Sequence, residues 1–302
     1  MQTLVTGASG FVGSALIPAL EHDGHDVRAF ARDATRVQAQ VPVAEGDVLT
    51  GAGLGAALDG VEVAYYLVHS MEAGDTSFSD RELRSAENFA AAADAAGVRR
   101  VVYLGGLVPA DGNASAHLAS RLAVEETLLD AGADSVALRA SIVIAARSRS
   151  FRFIVRLIER LPALGLPPWR NNRTQPIDGR DMIEFLVRAA RSQAAGGRSI
   201  DVAGPDVLSY GEMIERISEH MLLGRPRVAL PAVAESAVAG RLAAALGGED
   251  PELIGPLLEG LQHDLLPRDD AAALLGVRLH SFDHAVERAL RDWEADEVLV
   301  AR

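Results

Sequence analysis

The stretch from Thr3 to Gly13, Thr-Leu-Val-Thr-Gly-Ala-Ser-Gly-Phe-Val-Gly, constrains the fold more than any other part of the chain. A short apolar strand, Leu4 and Val5, runs into glycines at 7, 10 and 13, then into the helical apolar pattern Phe11, Val12, Ala15, Leu16 and Leu20. Strand, glycine-rich turn and helix in that order are the parts of a dinucleotide phosphate site. Gly7 permits the sharp turn, Gly10 lets the backbone approach a pyrophosphate, and Gly13 lets helix and strand pack closely. Backbone N–H groups at the helix start then face the anion, helped by the helix dipole. Thr6, Gly7, Ala8, Ser9, Gly10, Phe11, Val12 and Gly13 are therefore the expected phosphate-side contacts.

Apolar runs alternate with amphipathic stretches beyond this point, the rhythm of a parallel βαβ sheet. Residues 25–30, 41–43, 61–68, 101–104 and 136–138 read as strands two to six. Between them lie a short helix over 53–58, a long Ala-rich helix over 79–96 and a helix over 117–131. Ser79 and Glu82 fit a capping box for the long helix, and Gly97 and Gly132 are placed as stops. Six strands by residue 140 predict an α/β fold, a Rossmann-type doubly wound parallel sheet with a smaller C-terminal cap. Residues 1–145 are the expected nucleotide-binding core, with 174–204 returning to it through a helix over 181–191 and a strand over 199–202. Residues 146–173 and 205–302 are the expected cap, including a helix over 151–161, a Pro-rich stretch around Trp169, and a second capping box at Ser209 and Glu212. Asp181 reads as a helix N-cap.

Composition narrows the chemistry. There is no cysteine, which excludes disulfides, thiolate catalysis and Cys-ligated zinc. All 29 basic residues are arginine, so no Schiff base or lysine ammonium is available. The net charge of −13 speaks against a nucleic-acid or anionic-membrane surface. No apolar run approaches the ~20 residues of a membrane span. The chain opens directly on a core strand, and the expected location is the cytoplasm.

The end of strand two selects the nucleotide. NAD sites place a carboxylate there for the ribose 2′-hydroxyl. This chain has Ala29, Phe30 and Ala31, then Arg32, with Arg36 four residues on and Asp33 behind the arginine. Two guanidiniums without a strand-end carboxylate favour a 2′-phosphate, hence NADP, with NAD as the alternative.

With the glycine turn, the strand count and Gly46-Asp47-Val48 after strand three, the chain resembles the short-chain dehydrogenase/reductase superfamily. The Gly-x-x-Gly-x-x-Gly spacing and the cap are similar to its extended and atypical branches, the NmrA-like and epimerase-like NAD(P)-binding proteins. The runs Ala64-Tyr-Tyr-Leu-Val-His-Ser-Met71 and Tyr103-Leu-Gly-Gly-Leu107 resemble an atypical subgroup. The resemblance implies that Asp47 and Val48 flank adenine and that Leu67, Val68 and His69 lie along the ribose. It also implies that Ala140, Ser141 and Ile142 pass the nicotinamide.

The family's Tyr-x-x-x-Lys pair aligns with His117-Leu-Ala-Ser-Arg121, and its serine position falls among Gly105, Gly106 and Leu107, which have no hydroxyl. Two readings follow. In one, His117 is the acid–base group and Arg121 supplies the cation and ribose contact, a role open to histidine because it titrates near neutrality. In the other, His117 is a polar helix-start residue and Arg121 only binds cofactor; Gly105 counts as a backbone cofactor contact in either.

Three functions are thus in view. The first is an oxidoreductase moving hydride between NADP(H) and a small carbonyl-type substrate. The second is a non-catalytic NAD(P)-sensing regulator or assembly factor, and the third a sugar-nucleotide epimerase-like enzyme. Arg147, Arg149, Arg152, Arg156, Arg170 and Arg173 either meet an anionic substrate group or form a solvated helix face. His22 and His25 flank a turn at Gly24, and His280 and His284 have no third ligand in view, so no metal is expected. The Ala-rich helices would allow a homodimer, by analogy with relatives.

Overall fold

In a computed structural model of the chain, residues 1–68, 78–109, 116–229 and 260–296 are described. Strand β1 (Gln2–Thr6) alternates its side chains between two apolar layers. Val5 joins Leu16, Ile17 and Leu20 of helix α1 (Phe11–His22) and Met182, Phe185 and Leu186 of α6 (Gly179–Ala189). Leu4 faces the other way, into a layer with Leu54, Phe89, Val124 and Leu128. Those residues come from α2 (Leu54–Leu58), α3 (Phe78–Ala95) and α4 (Ala116–Leu129).

The sheet between these layers holds β1, β2 (Asp26–Ala31), β3 (Val43–Glu45), β4 (Val63–Tyr66), β5 (Arg100–Gly106), β6 (Val136–Ala140) and, at its far edge, β11 (Arg198–Val202). Its order is β11-β6-β5-β4-β1-β2-β3, and every pairing is parallel. The order reverses between β1 and β4, which opens a crevice at the carboxyl ends of the strands. This is the Rossmann-type doubly wound sheet that the sequence predicts. Strand 198–202 adds a seventh member by pairing with β6.

A third apolar cluster builds the remainder. It joins α5 (Arg149–Arg160), α7 (Tyr210–His220) and α9 (Phe282–Asp296) through Phe151, Ile158, Met213, Ile217, Phe282 and Trp293. The β7 (Val143–Ile144) and β10 (Ile177–Asp178) pair joins this cluster to the first layer, and two further short pairs lie within the remainder: β8 (Leu164–Leu166) with β13 (Arg227–Ala229), and β9 (Arg173–Thr174) with β12 (Leu208–Ser209). Helix α8 (Ala271–Leu275) returns to the first layer. Among the described residues no helix is long and apolar enough to cross a membrane.

Several boundaries move for identifiable reasons. Strand β3 begins at Val43, not residue 41, because Pro42 has no N–H for a ladder and contributes only its carbonyl, to Ala29 N at 2.9 Å. Strand β4 is shorter than residues 61–68: Val61 N turns back to Leu58 O, and Leu67 N is taken by the Thr6 hydroxyl at 3.0 Å. Helix α3 begins at Phe78, so Ser79 is its second residue rather than its cap. Helix α6 begins at Gly179 with Asp178 as the cap, its Oδ1 accepting from Arg180 N at 2.8 Å. Asp181 instead lies buried, accepting from His280 N at 2.7 Å and His280 Nδ1 at 2.5 Å. The capping box at Ser209 and Glu212 forms as read.

His25 sits in the turn into β2 with its side chain fully buried and its Nδ1 2.8 Å from the Thr3 hydroxyl. Burial, reinforced by nearby Arg191, lowers its pKa below 6.5. As pH falls through 6.5 the unfolded chain takes up a proton that the folded chain does not, so stability declines until the lower folded value is passed. His25→Gln is expected to flatten urea midpoints in the range just below pH 6.5, removing a slope of at most about 1.4 kcal/mol per pH unit. An unchanged slope would mean that other groups carry the dependence.

Candidate functional site

The glycine turn is built by close approach. Gly7 has φ +63°, a conformation that L side chains rarely adopt, and a Cβ there would lie 2.6 Å from the Leu67 carbonyl oxygen. A Cβ at Gly13 would lie 2.4 Å from the Gly7 carbonyl oxygen and 2.8 Å from Ala8 Cα. The turn, α1 and the end of β4 therefore meet at backbone distance. Gly10 is the N-cap of α1 in extended conformation, with no side-chain cap bond and no acidic residue in the first helical turn. Together these features fit a dinucleotide phosphate: a cradle without side chains, and helix N–H groups left uncapped.

Thr6 also ties two strands together. Its hydroxyl donates to Tyr65 O at 2.9 Å and accepts from Leu67 N, fastening β1 to β4 beneath the turn. Asp47 holds its own loop, with Oδ1 accepting from Leu49 N at 2.9 Å, and Val48 is buried beside it. Asn88 of α3 donates to Val48 O and Leu49 O at 3.1 and 2.8 Å, setting the loop where adenine is expected. Sequence reading passed over Asn88, although it is a lone amide in an Ala-rich helix.

Arg32 directly follows β2 and is exposed, with no hydrogen bond or ion pair to any described residue. Asp33 turns away onto Thr35, accepting from its N–H at 2.9 Å and its hydroxyl at 2.6 Å. The Thr35 bonds hold that carboxyl below its ordinary pKa. Arg36 ends the short 3₁₀ turn Ala34–Arg36, which Glu45 anchors by accepting from Ala34 N at 2.9 Å.

Leu67 and Val68 close β4, while His69 lies outside the described residues. At the end of β6, Ala140 O accepts from Leu107 N at 3.2 Å and Ser141 N donates to Val202 O at 3.1 Å. Ile142 O accepts from Ile177 N at 2.9 Å. The Ser141 hydroxyl lies 3.4 Å from that of buried Thr174. Gly105 backs onto the Tyr103 ring and Glu125, where a Cβ would stand 3.1 and 3.5 Å away.

His117 is the second residue of α4, and its side chain lies outside the described residues. Arg121, one turn on, reaches Leu104 O of β5 at 3.4 Å. Beside it is Glu82 of α3, buried, accepting from the Ser120 hydroxyl at 3.2 Å. Burial pushes the Glu82 carboxyl above its ordinary pKa, against the opposing pull of Arg121 and Ser120. Burial also raises the pKa of the Tyr103 phenol in this cluster. Glu82 was legible only as a capping residue, yet it faces α4.

Most of the cap arginines are structural. Arg152 and Arg156 stand 4.3 and 5.0 Å over the Trp293 ring, and Arg156 pairs with Glu159 at 2.8 Å. Arg170 donates to Leu166 O at 3.3 Å, and Arg173 grips Asp264 at 2.8 Å. An anionic substrate group does not account for these four.

Residues 7–143 match the family described as NAD(P)H-binding. That match covers just under half of the chain, from the glycine turn to β7. Over 113 residues the chain is 34% identical to a 3 beta-hydroxysteroid dehydrogenase/Delta 5→4-isomerase of Mycobacterium tuberculosis, a match covering 34% of this chain and 30% of that protein. Its fold is similar to that of an NADPH-dependent quinone oxidoreductase from Escherichia coli complexed with NADPH, with TM-score 0.75, 19% identity, and 96% and 100% of the two chains covered. It is likewise similar to a UDP-glucose 4-epimerase from Thermotoga maritima with UDP-glucose, with TM-score 0.74, 11% identity, and 98% and 99% covered. The chain is thus similar in sequence to a dehydrogenase and in fold to an oxidoreductase and an epimerase.

Proposed function

We propose that the chain is an NADP(H)-dependent oxidoreductase acting on a small carbonyl-type substrate. The observation that carries the cofactor choice is Arg32, unpaired at the end of β2 while Asp33 is occupied by Thr35. A guanidinium there suits a 2′-phosphate, and the nearby Asp33 carboxylate spends Oδ1 on Thr35. Residues 1–145 with 174–204 would hold the nucleotide, and 146–173 with 205–302 would cover the substrate.

When bound, the nicotinamide supplies or takes up the hydride. His117 is the proposed acid–base group, giving a proton to the carbonyl oxygen in reduction and taking it back in oxidation. Arg121 would hold the ribose hydroxyls through its guanidinium N–H donors, with the Glu82 carboxylate of α3 close enough to feel its charge. The missing tyrosine, lysine and serine favour one other reading, a non-catalytic NADP(H)-sensing regulator.

Thermal unfolding with NADPH, NADP, NADH and NAD tests the cofactor assignment. A ligand at a hundred times its Kd adds about 2.7 kcal/mol of apparent stability. A shift with the two phosphorylated nucleotides and little with the others is expected; no shift with any of them overturns the proposal. NADPH oxidation with a panel of aldehydes, ketones and quinones then separates the readings. His117→Ala is expected to abolish turnover and leave NADPH affinity intact, whereas no turnover of any substrate together with nucleotide-dependent partner binding supports the regulator.

A further inference from the structure

Of the six cap arginines, Arg152, Arg156, Arg170 and Arg173 are assigned to cap packing and Arg149 opens α5, which leaves Arg147. It lies between β7 and α5, next to Ser148, the N-cap of α5, in a segment with little freedom. Ser148 N donates to Ala145 O at 3.0 Å, and Ala145 packs so tightly on Gly179 that a Cβ there would stand 2.9 Å from its own. From this fixed point Arg147 Nη1 donates to Ser14 Oγ at 3.3 Å, placing the guanidinium at the first turn of α1. Arg147 is exposed and pairs with no carboxylate among the described residues.

That arrangement is electrostatically unfavourable in the chain alone. A helix N-terminus carries roughly half a positive charge and disfavours a neighbouring cation. The first turn of α1 supplies no acidic residue and no side-chain cap to offset it, in a chain with 42 acidic residues and net charge −13. An anion lying between the helix end and the guanidinium reverses the sign of the interaction. Residues 7–143 match an NAD(P)H-binding family, and every such dinucleotide carries a diphosphate.

We propose that Arg147 clamps the cofactor diphosphate from the cap side, opposite the glycine turn. The inference rests on the nucleotide site proposed above and adds a contact common to NADP and NAD, distinct from Arg32.

The test measures Kd for NADPH, NADH and adenosine 2′-monophosphate, which has the 2′-phosphate but no diphosphate, on wild type and Arg147→Met by calorimetry or competition. Loss of a charge-assisted contact is expected to weaken NADPH and NADH by the same factor, on the order of tenfold. Adenosine 2′-monophosphate affinity should stay at the wild-type value, and the ligand-free unfolding midpoint should stay there or rise, since a cation is removed from the helix N-terminus. Unchanged dinucleotide affinity overturns the clamp while leaving the site itself intact. A loss confined to NADPH and adenosine 2′-monophosphate also overturns it, by assigning Arg147 to the 2′-phosphate. Wild type that binds no dinucleotide refutes the underlying site, a result distinct from the other two.

Discussion

Gly13→Val is expected to abolish dinucleotide binding and to cost about 2–4 kcal/mol of stability, whereas Gly10→Ala abolishes neither fold nor stability and weakens only binding. The contrast comes from what each new carbon meets. At Gly13 the Cβ would stand 2.4 Å from the Gly7 carbonyl oxygen and 2.8 Å from Ala8 Cα, both backbone atoms of the same turn. Neither atom can swing aside as a side-chain tip would, so α1 must lift off the turn and lose packing of Leu16 and Leu20 against β1 and β2. At Gly10 the only neighbour within reach among the described residues is the Gly7 carbonyl oxygen at 3.1 Å, and φ is −78°, open to alanine. A methyl there stands on the side from which a phosphate would approach, so affinity should fall at least about tenfold. Urea unfolding without ligand and titration with NADPH separate the two effects. Normal NADPH affinity in Gly13→Val would mean that the turn does not form the site.

Residues that act on their near neighbours in sequence were legible. The strand, glycine turn and helix at the amino end, and the capping box at Ser209 and Glu212, depend on contacts within a few positions, and both appear in the structure. Residues committed to distant partners were misread or missed. Asp178 and Asp181 sit three positions apart and both suit a cap; the partner that distinguishes them is His280, 99 residues away. The arginines of α5 look like a wet helix face until Trp293 is brought over them by α9. Glu82 satisfies a local capping pattern, but Ser120, 38 positions on, receives its carboxylate. Local spacing reports helix ends and strand alternation; it carries no information about which side chains the tertiary packing will bring together.

Arg32→Glu is expected to reverse the nucleotide preference, weakening NADPH by about a hundredfold or more while NADH changes by less than about threefold. Two terms act together: the wild-type charge-assisted contact to a 2′-phosphate is lost, and a carboxylate is placed against a group carrying nearly two negative charges. The position is held from both sides. Ala31 pairs with Glu45 at the end of β2, and Glu45 also accepts from Ala34 N, so the backbone on both sides of Arg32 is fixed by the same residue. Asp33 is already bound to Thr35 and so leaves the guanidinium uncompensated. Arg36→Ala removes charge one 3₁₀ turn further along and should shift the ratio in the same direction by less. Because the contact is exposed, raising ionic strength from 0.05 to about 0.5 M should weaken NADPH more than NADH in wild type, and by similar factors in Arg32→Glu. Equal losses of NADPH and NADH in Arg32→Glu would make Arg32 a loop-ordering residue, and the NADP assignment would lose its principal support.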